Sequence, residues 1–107
     1  MSRREKIEAM LAEDPDDTFL RYSLAMEHRS EGNNTQSLEI LDALISEAPP
    51  CIPAFFMAGQ QFVDLDRIDD ARDYLRRGID EARNQNDAHA AAEMSELLTS
   101  LGEYGEI

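Results

Sequence analysis

PAFFMAGQQFVDLDRIDDARDYLRRG, residues 53 to 78, reads as two amphipathic helices around the turn Asp66-Arg67-Ile68-Asp69. Its apolar residues recur at helical spacing, and no segment of the chain shows the period-two alternation of a strand. Working outward, the neighbouring segments repeat its pattern. Ala25 follows Leu24, and Gly59 follows Ala58 thirty-four residues later. At the same offset His28 falls on Phe62, Ser37 on Ala71, Leu41 on Leu75 and Leu44 on Gly78. Stepping back from Pro49, Leu41 and Leu44 reaches Pro15, Ile7 and Met10. A fixed period of this length marks stacked structural units, each unable to bury its apolar face alone.

The first unit is Arg21-x2-Leu24-Ala25-x2-His28-x3-Gly32-x4-Ser37-x3-Leu41-x2-Leu44-x4-Pro49. The second is Phe55-x2-Ala58-Gly59-x2-Phe62-x3-Asp66-x4-Ala71-x3-Leu75-x2-Gly78, with Arg83 at the last slot. This resembles the tetratricopeptide repeat family, whose pattern is Trp-x2-Leu-Gly/Ala-x2-Tyr, a turn glycine, Ala-x3-Phe-x2-Ala and a closing proline. Arg21, His28, Asp66 and Arg83 depart from the pattern, while the spacing holds from about Thr18 to Gln85. The resemblance implies an all-α fold of about six helices, antiparallel hairpins stacked as a short right-handed superhelix. A single domain is expected over residues 1–107. It would hold an N-terminal half-unit helix (1–14), repeat one (18–51), repeat two (52–85), a capping helix (86–102) and a frayed tail (103–107).

The residues support this independently. Close helix crossings need small side chains, and Ala25 with Ser37 and Gly59 with Ala71 supply them. Gly78 lies inside a helix, where glycine costs about 1 kcal/mol against alanine, so it has a packing reason. Ser2 and Glu5 have capping-box spacing before a helix to Glu13 whose apolar stripe is Ile7, Met10 and Leu11. Asp14-Pro15 ends it and Asp17 caps the next helix, Thr18 to Glu31, with Leu20, Leu24, Ala25 and His28 inward. Gly32-Asn33-Asn34 turns the chain. Thr35 is read as the cap of Gln36 to Ala48, burying Leu38, Leu41, Leu44 and Ile45, and Pro49-Pro50 stops it. Pro53 opens a helix to about Asp64. The next runs from about Asp69 to Asn84, burying Ala71, Leu75, Ile79 and Ala82. Asp87 caps a last helix, Ala88 to Leu101, ended by Gly102.

The chain has 107 residues and a net charge of −13, from 23 acidic and 10 basic side chains. That excludes a nucleic-acid face and an anionic membrane surface, and favours cationic partners. Acidity spread over every segment also fits adaptation to a salty environment. One cysteine, Cys51, permits no intrachain disulfide. No apolar run approaches membrane-spanning length. Met1-Ser2-Arg3-Arg4-Glu5 is followed by no apolar stretch of a secretory signal, so the expected location is the cytoplasm.

Candidate chemistry is sparse. His28 takes the slot of a core ring, and His89 has no partner in sequence. No metal-ligand spacing exists. Asp64 to Asp70 lacks the central glycine and final glutamate of a calcium loop. Asn33-Asn34-Thr35 fits a glycosylation sequon but reads as a turn and cap. Cys51 reads as an inert thiol. No nucleophile, base and orienter occur together, so no enzyme, cofactor or metal is expected.

The resemblance implies that leading helices line a concave, peptide-holding groove. By register its lining is Phe19, Tyr22, Met26 and Arg29, then Phe56, Met57, Gln60 and Val63, then Ala90, Met94 and Leu97. Family members that clamp a C-terminal carboxylate use lysine, asparagine and arginine there; Tyr22, Met26 and Met57 stand in the matching places, so no such clamp is expected. The implied partner is another protein, amphipathic or with basic flanks. The alternative is a homodimer whose apolar face is its own interface.

Overall fold

Six α-helices carry the chain in the computed structural model, which describes residues 1–102: α1 (Arg3–Glu13), α2 (Thr18–Ser30), α3 (Asn34–Ile45), α4 (Ile52–Asp64), α5 (Ile68–Asn84) and α6 (Ala88–Leu101). No strand occurs among the described residues. The expected tail at 103–107 lies outside them. The chain divides into two units, Met1–Ala54 and Phe55–Ile107, with the boundary inside the first turn of α4.

The helix starts are set by short polar side chains. Ser2 and Glu5 form the capping box of α1, each side chain accepting from the other's backbone N–H. The Asp17 carboxylate accepts from Leu20 N–H at 2.9 Å, and Asp87 accepts from Ala90 N–H at 3.1 Å. Thr35 is not a cap. It lies within α3, which starts at Asn34 after a cap residue, Asn33, that makes no side-chain bond to the helix end. The helix begins two residues before the expected Gln36, directly after the turn that Asn33 N–H closes on His28 C=O at 2.8 Å.

Three helix ends share one device. After α2, α4 and α5 the chain passes through Gly32 (φ 82°), Asp66 (φ 59°) and Asn86 (φ 61°). In each, the following N–H reaches back to a carbonyl in the last turn: Asn33 to His28, Arg67 to Phe62 and Asp87 to Ala82. This is the left-handed helix stop that satisfies otherwise orphaned carbonyls. α3 ends differently, and three residues earlier than the prolines alone suggest. The Ser46 hydroxyl donates to Asp42 C=O at 2.9 Å, and Cys51 N–H donates to Leu44 C=O at 3.1 Å.

In the first unit, α2 and α3 pack where Ala25 and Ser37 are both fully buried, and the Ser37 hydroxyl donates to Ala25 C=O at 2.7 Å. Leu41 and Leu44 are fully buried below. Leu20, Leu24, His28 and Leu38 are only half-buried, so the inward stripe is narrower than the sequence suggests. α1 adds Ile7; Leu11 is half-buried and Met10 is exposed.

In the second unit, two glycines set the packing. A Cβ at Gly59 would lie 2.7 Å from Leu75, which rather than Ala71 is the side chain it accommodates. A Cβ at Gly78 would lie 2.6 Å from both Met94 Sδ and Phe55 Cβ. Ala71, Leu75, Ile79 and Ala82 form the buried stripe of α5. Arg72 is buried with them and donates to Leu101 C=O at 3.0 Å, tying α5 to the C-terminal end of α6. Phe62 and Tyr74 stack tilted with centroids 5.0 Å apart, and the Arg67 guanidinium lies 4.9 Å from the Phe62 ring.

Candidate interaction face

On α2, spacings of three, four and three residues put Phe19, Tyr22, Met26 and Arg29 on one side of the helix. Phe19 stands 75% exposed and Met26 43% exposed, while Tyr22 and Arg29 are half-buried. Asp17 fixes where the helix begins and therefore where Phe19 points.

Phe19 and Tyr22 are brought together with Thr18, Cys51 and Pro53 around an open hollow of about 490 Å³. Its lining offers rings, a thiol and aliphatic carbons rather than charge. Cys51 and Pro53 were not foreseen as part of this face. The available signal was the proline-rich connector, which must return past the start of α2 to begin α4. Burial pushes the Cys51 thiol above its ordinary value, Glu47 adds to this, and the Ala54 N–H and Arg21 oppose it. It therefore stays a protonated, weakly nucleophilic thiol. Burial, followed by the Cys51 charge, also raises Tyr22. The Arg21–Glu47 ion pair, at 3.0 Å, belongs to the same unit.

Met26 does not share that hollow. It lines a smaller one, about 200 Å³, with Arg3, Ile7, Ser23 and Glu27 between α1 and α2. In the second unit Phe56, Met57, Gln60 and Val63 are half-buried on α4, and Ala90 and Leu97 are half-buried on α6. Met94 is a correction: it is fully buried, beneath Gly78, and is core rather than lining.

The remaining polar candidates have local partners. His28 Nδ1 lies 3.4 Å from Asn33 Nδ2, and His89 Nε2 lies 3.1 Å from Glu93 Oε1 one turn on. Among the described residues no group of three or more His, Cys, Asp or Glu side chains is placed to hold a metal ion.

No family model and no curated protein matches the chain. Solved structures do. A solution structure of a tetratricopeptide repeat domain protein from Salinibacter ruber is 28% identical, with a TM-score of 0.80 over 87% of this chain and 94% of that one. A crystal structure of a tetratricopeptide repeat domain protein from the same organism is 28% identical, with a TM-score of 0.73 over 82% of this chain and 98% of that one. The chain has the all-α fold of tetratricopeptide repeat domain proteins. A protein from Bordetella parapertussis, 23% identical, shares the fold with a TM-score of 0.82 over 97% of this chain and 90% of that one.

The tetratricopeptide-like pattern explains what stands at the divergent slots. Asp66 replaces the turn glycine yet keeps its left-handed backbone. Arg21 replaces the tryptophan and pairs with Glu47. His28 replaces the tyrosine and meets Asn33. No helix among the described residues is long and apolar enough to cross a membrane.

Proposed function

We propose that this tetratricopeptide-like protein is a protein-interaction module that takes an amphipathic helix or short segment of another protein against the outer face of α2. The observation that carries the reading is Phe19, three-quarters exposed beside a hollow lined by Tyr22, Cys51 and Pro53 in a chain otherwise so acidic. Exposed apolar area of this kind marks contact sites. Phe19 and Tyr22 act as anchors, and Met26 and Arg29 extend the contact. In the second unit Phe56, Met57, Gln60 and Val63, with Leu97 of α6, are assigned the same role. The net charge of −13 selects ligands with basic flanks and speeds their encounter.

Selection from a random displayed-peptide library tests this. Enriched sequences carry apolar pairs at helical spacing between basic residues, and they shift the backbone amide resonances of Phe19, Tyr22 and Cys51 in a nuclear magnetic resonance titration. Enriched peptides that leave those resonances unmoved contradict the assignment. A second reading, a homodimer through the same face, is also favoured by exposed Phe19. Light scattering decides it: a mass near 12.1 kDa leaves the face open, and twice that makes it an interface between copies.

A further inference from the structure

α1 is held by a thin apolar contact. It buries one residue, Ile7, where α3 buries Ser37, Leu41, Leu44 and Ile45. Its packing against α2 leaves the 200 Å³ hollow beside Met26 open to solvent. What it does have is charge. Arg4 pairs with Glu31 at 2.9 Å and with Glu8 at 3.1 Å, and Arg3 reaches Glu27 at 3.5 Å. Glu27 is mostly covered, whereas Arg3 is exposed, so the hold is made at the rim of a thin apolar contact.

We propose that α1 is a detachable strap, latched electrostatically over the C-terminal half of α2, whose release uncovers Ser23 and Met26 next to Tyr22 and so lengthens the docking face. That last consequence rests on the reading of α2 as the docking element; the latch does not. Two physical facts drive release. Ion pairs at exposed sites are weak and screened by salt, the screening length falling from about 30 Å at ~0.01 M to about 3 Å at ~1 M. An isolated helix of α1's 11 residues is below the length that is stable in water, so once undocked it melts.

Amide hydrogen exchange on the intact protein tests the latch. Going from ~0.01 M to ~1 M salt, residues 3–13 exchange about 10-fold faster while α3 changes less than about 2-fold. The E27Q/E31Q variant, which leaves α1 itself unaltered, shows the fast exchange already at low salt; E39Q, on α3, does not. Exchange of 3–13 that is insensitive to both salt and E27Q/E31Q overturns the strap. A selected peptide should also bind E27Q/E31Q several-fold more tightly. If exchange behaves as stated and peptide affinity does not rise, the latch stands and the docking face on α2 is wrong.

Discussion

Gly78 and Asp66 show how single residues decide this fold in opposite directions. Gly78 lies mid-helix, where alanine is intrinsically better by about 1 kcal/mol. Its missing Cβ leaves room for Phe55 Cβ and Met94 Sδ, each 2.6 Å from where that atom would sit. Methionine can swing away, but Phe55 Cβ is fixed to backbone. Gly78→Ala should therefore destabilise by about 1–3 kcal/mol despite its better propensity, read as a lower urea midpoint. Asp66 bears a side chain at φ 59°, the conformation glycine adopts at Gly32. Asp66→Gly should stabilise by about 0.5 kcal/mol, and a lower melting temperature for that variant would show that the aspartate makes a compensating contact. The glycine reasoning was legible because period and helical position were legible. The exact neighbour was not: Gly59 faces Leu75 rather than Ala71, since which side chain fills a gap depends on rotamers that spacing does not encode.

At the scale of elements, the turns and caps were readable wherever one polar residue does the work, as at Ser2, Asp17 and Asp87. They were misread at Thr35, where the helix begins directly after the turn that Asn33 N–H closes on His28 C=O. Arg72 was missed for another reason. An arginine on a helix reads as solvated, and nothing in the sequence says that the far end of α6 returns to it. Because its guanidinium donates to Leu101 C=O, Arg72→Ala should speed exchange in the last turn of α6 and cost about 1–2 kcal/mol. The candidate face divides in the same way. Helical spacing sets Phe19 and Tyr22 on one side of α2, whereas Met94, at a lining position by register, is drawn into the core by the space at Gly78.

For the whole molecule, pH and salt act on separate terms. Cys51 and Tyr22 both have folded-state values raised by burial. Their contribution is full below the unfolded values and lost as pH rises through the folded ones. Stability should thus decline above about pH 8.5, with Tyr22 adding to the loss above about pH 10. Cys51→Ala should remove the earlier part of that decline; an unchanged alkaline profile in this variant would place its origin elsewhere. The net charge of −13 opposes compactness by self-repulsion, so urea midpoints should rise with salt even as α1 loosens. A rise confined to molar salt would mark the acidity as adaptation to a salty environment rather than as a means of recruiting basic partners.

The central claim is that the outer face of α2 docks another protein, and the affinity of a selected peptide for the Phe19→Glu variant tests it most directly. Phe19 is so exposed that its replacement should leave helix content by circular dichroism unchanged. A loss of affinity of at least about 10-fold is expected, the effect of removing an aromatic anchor. Affinity equal to the parent's, in a protein equally helical, would contradict it.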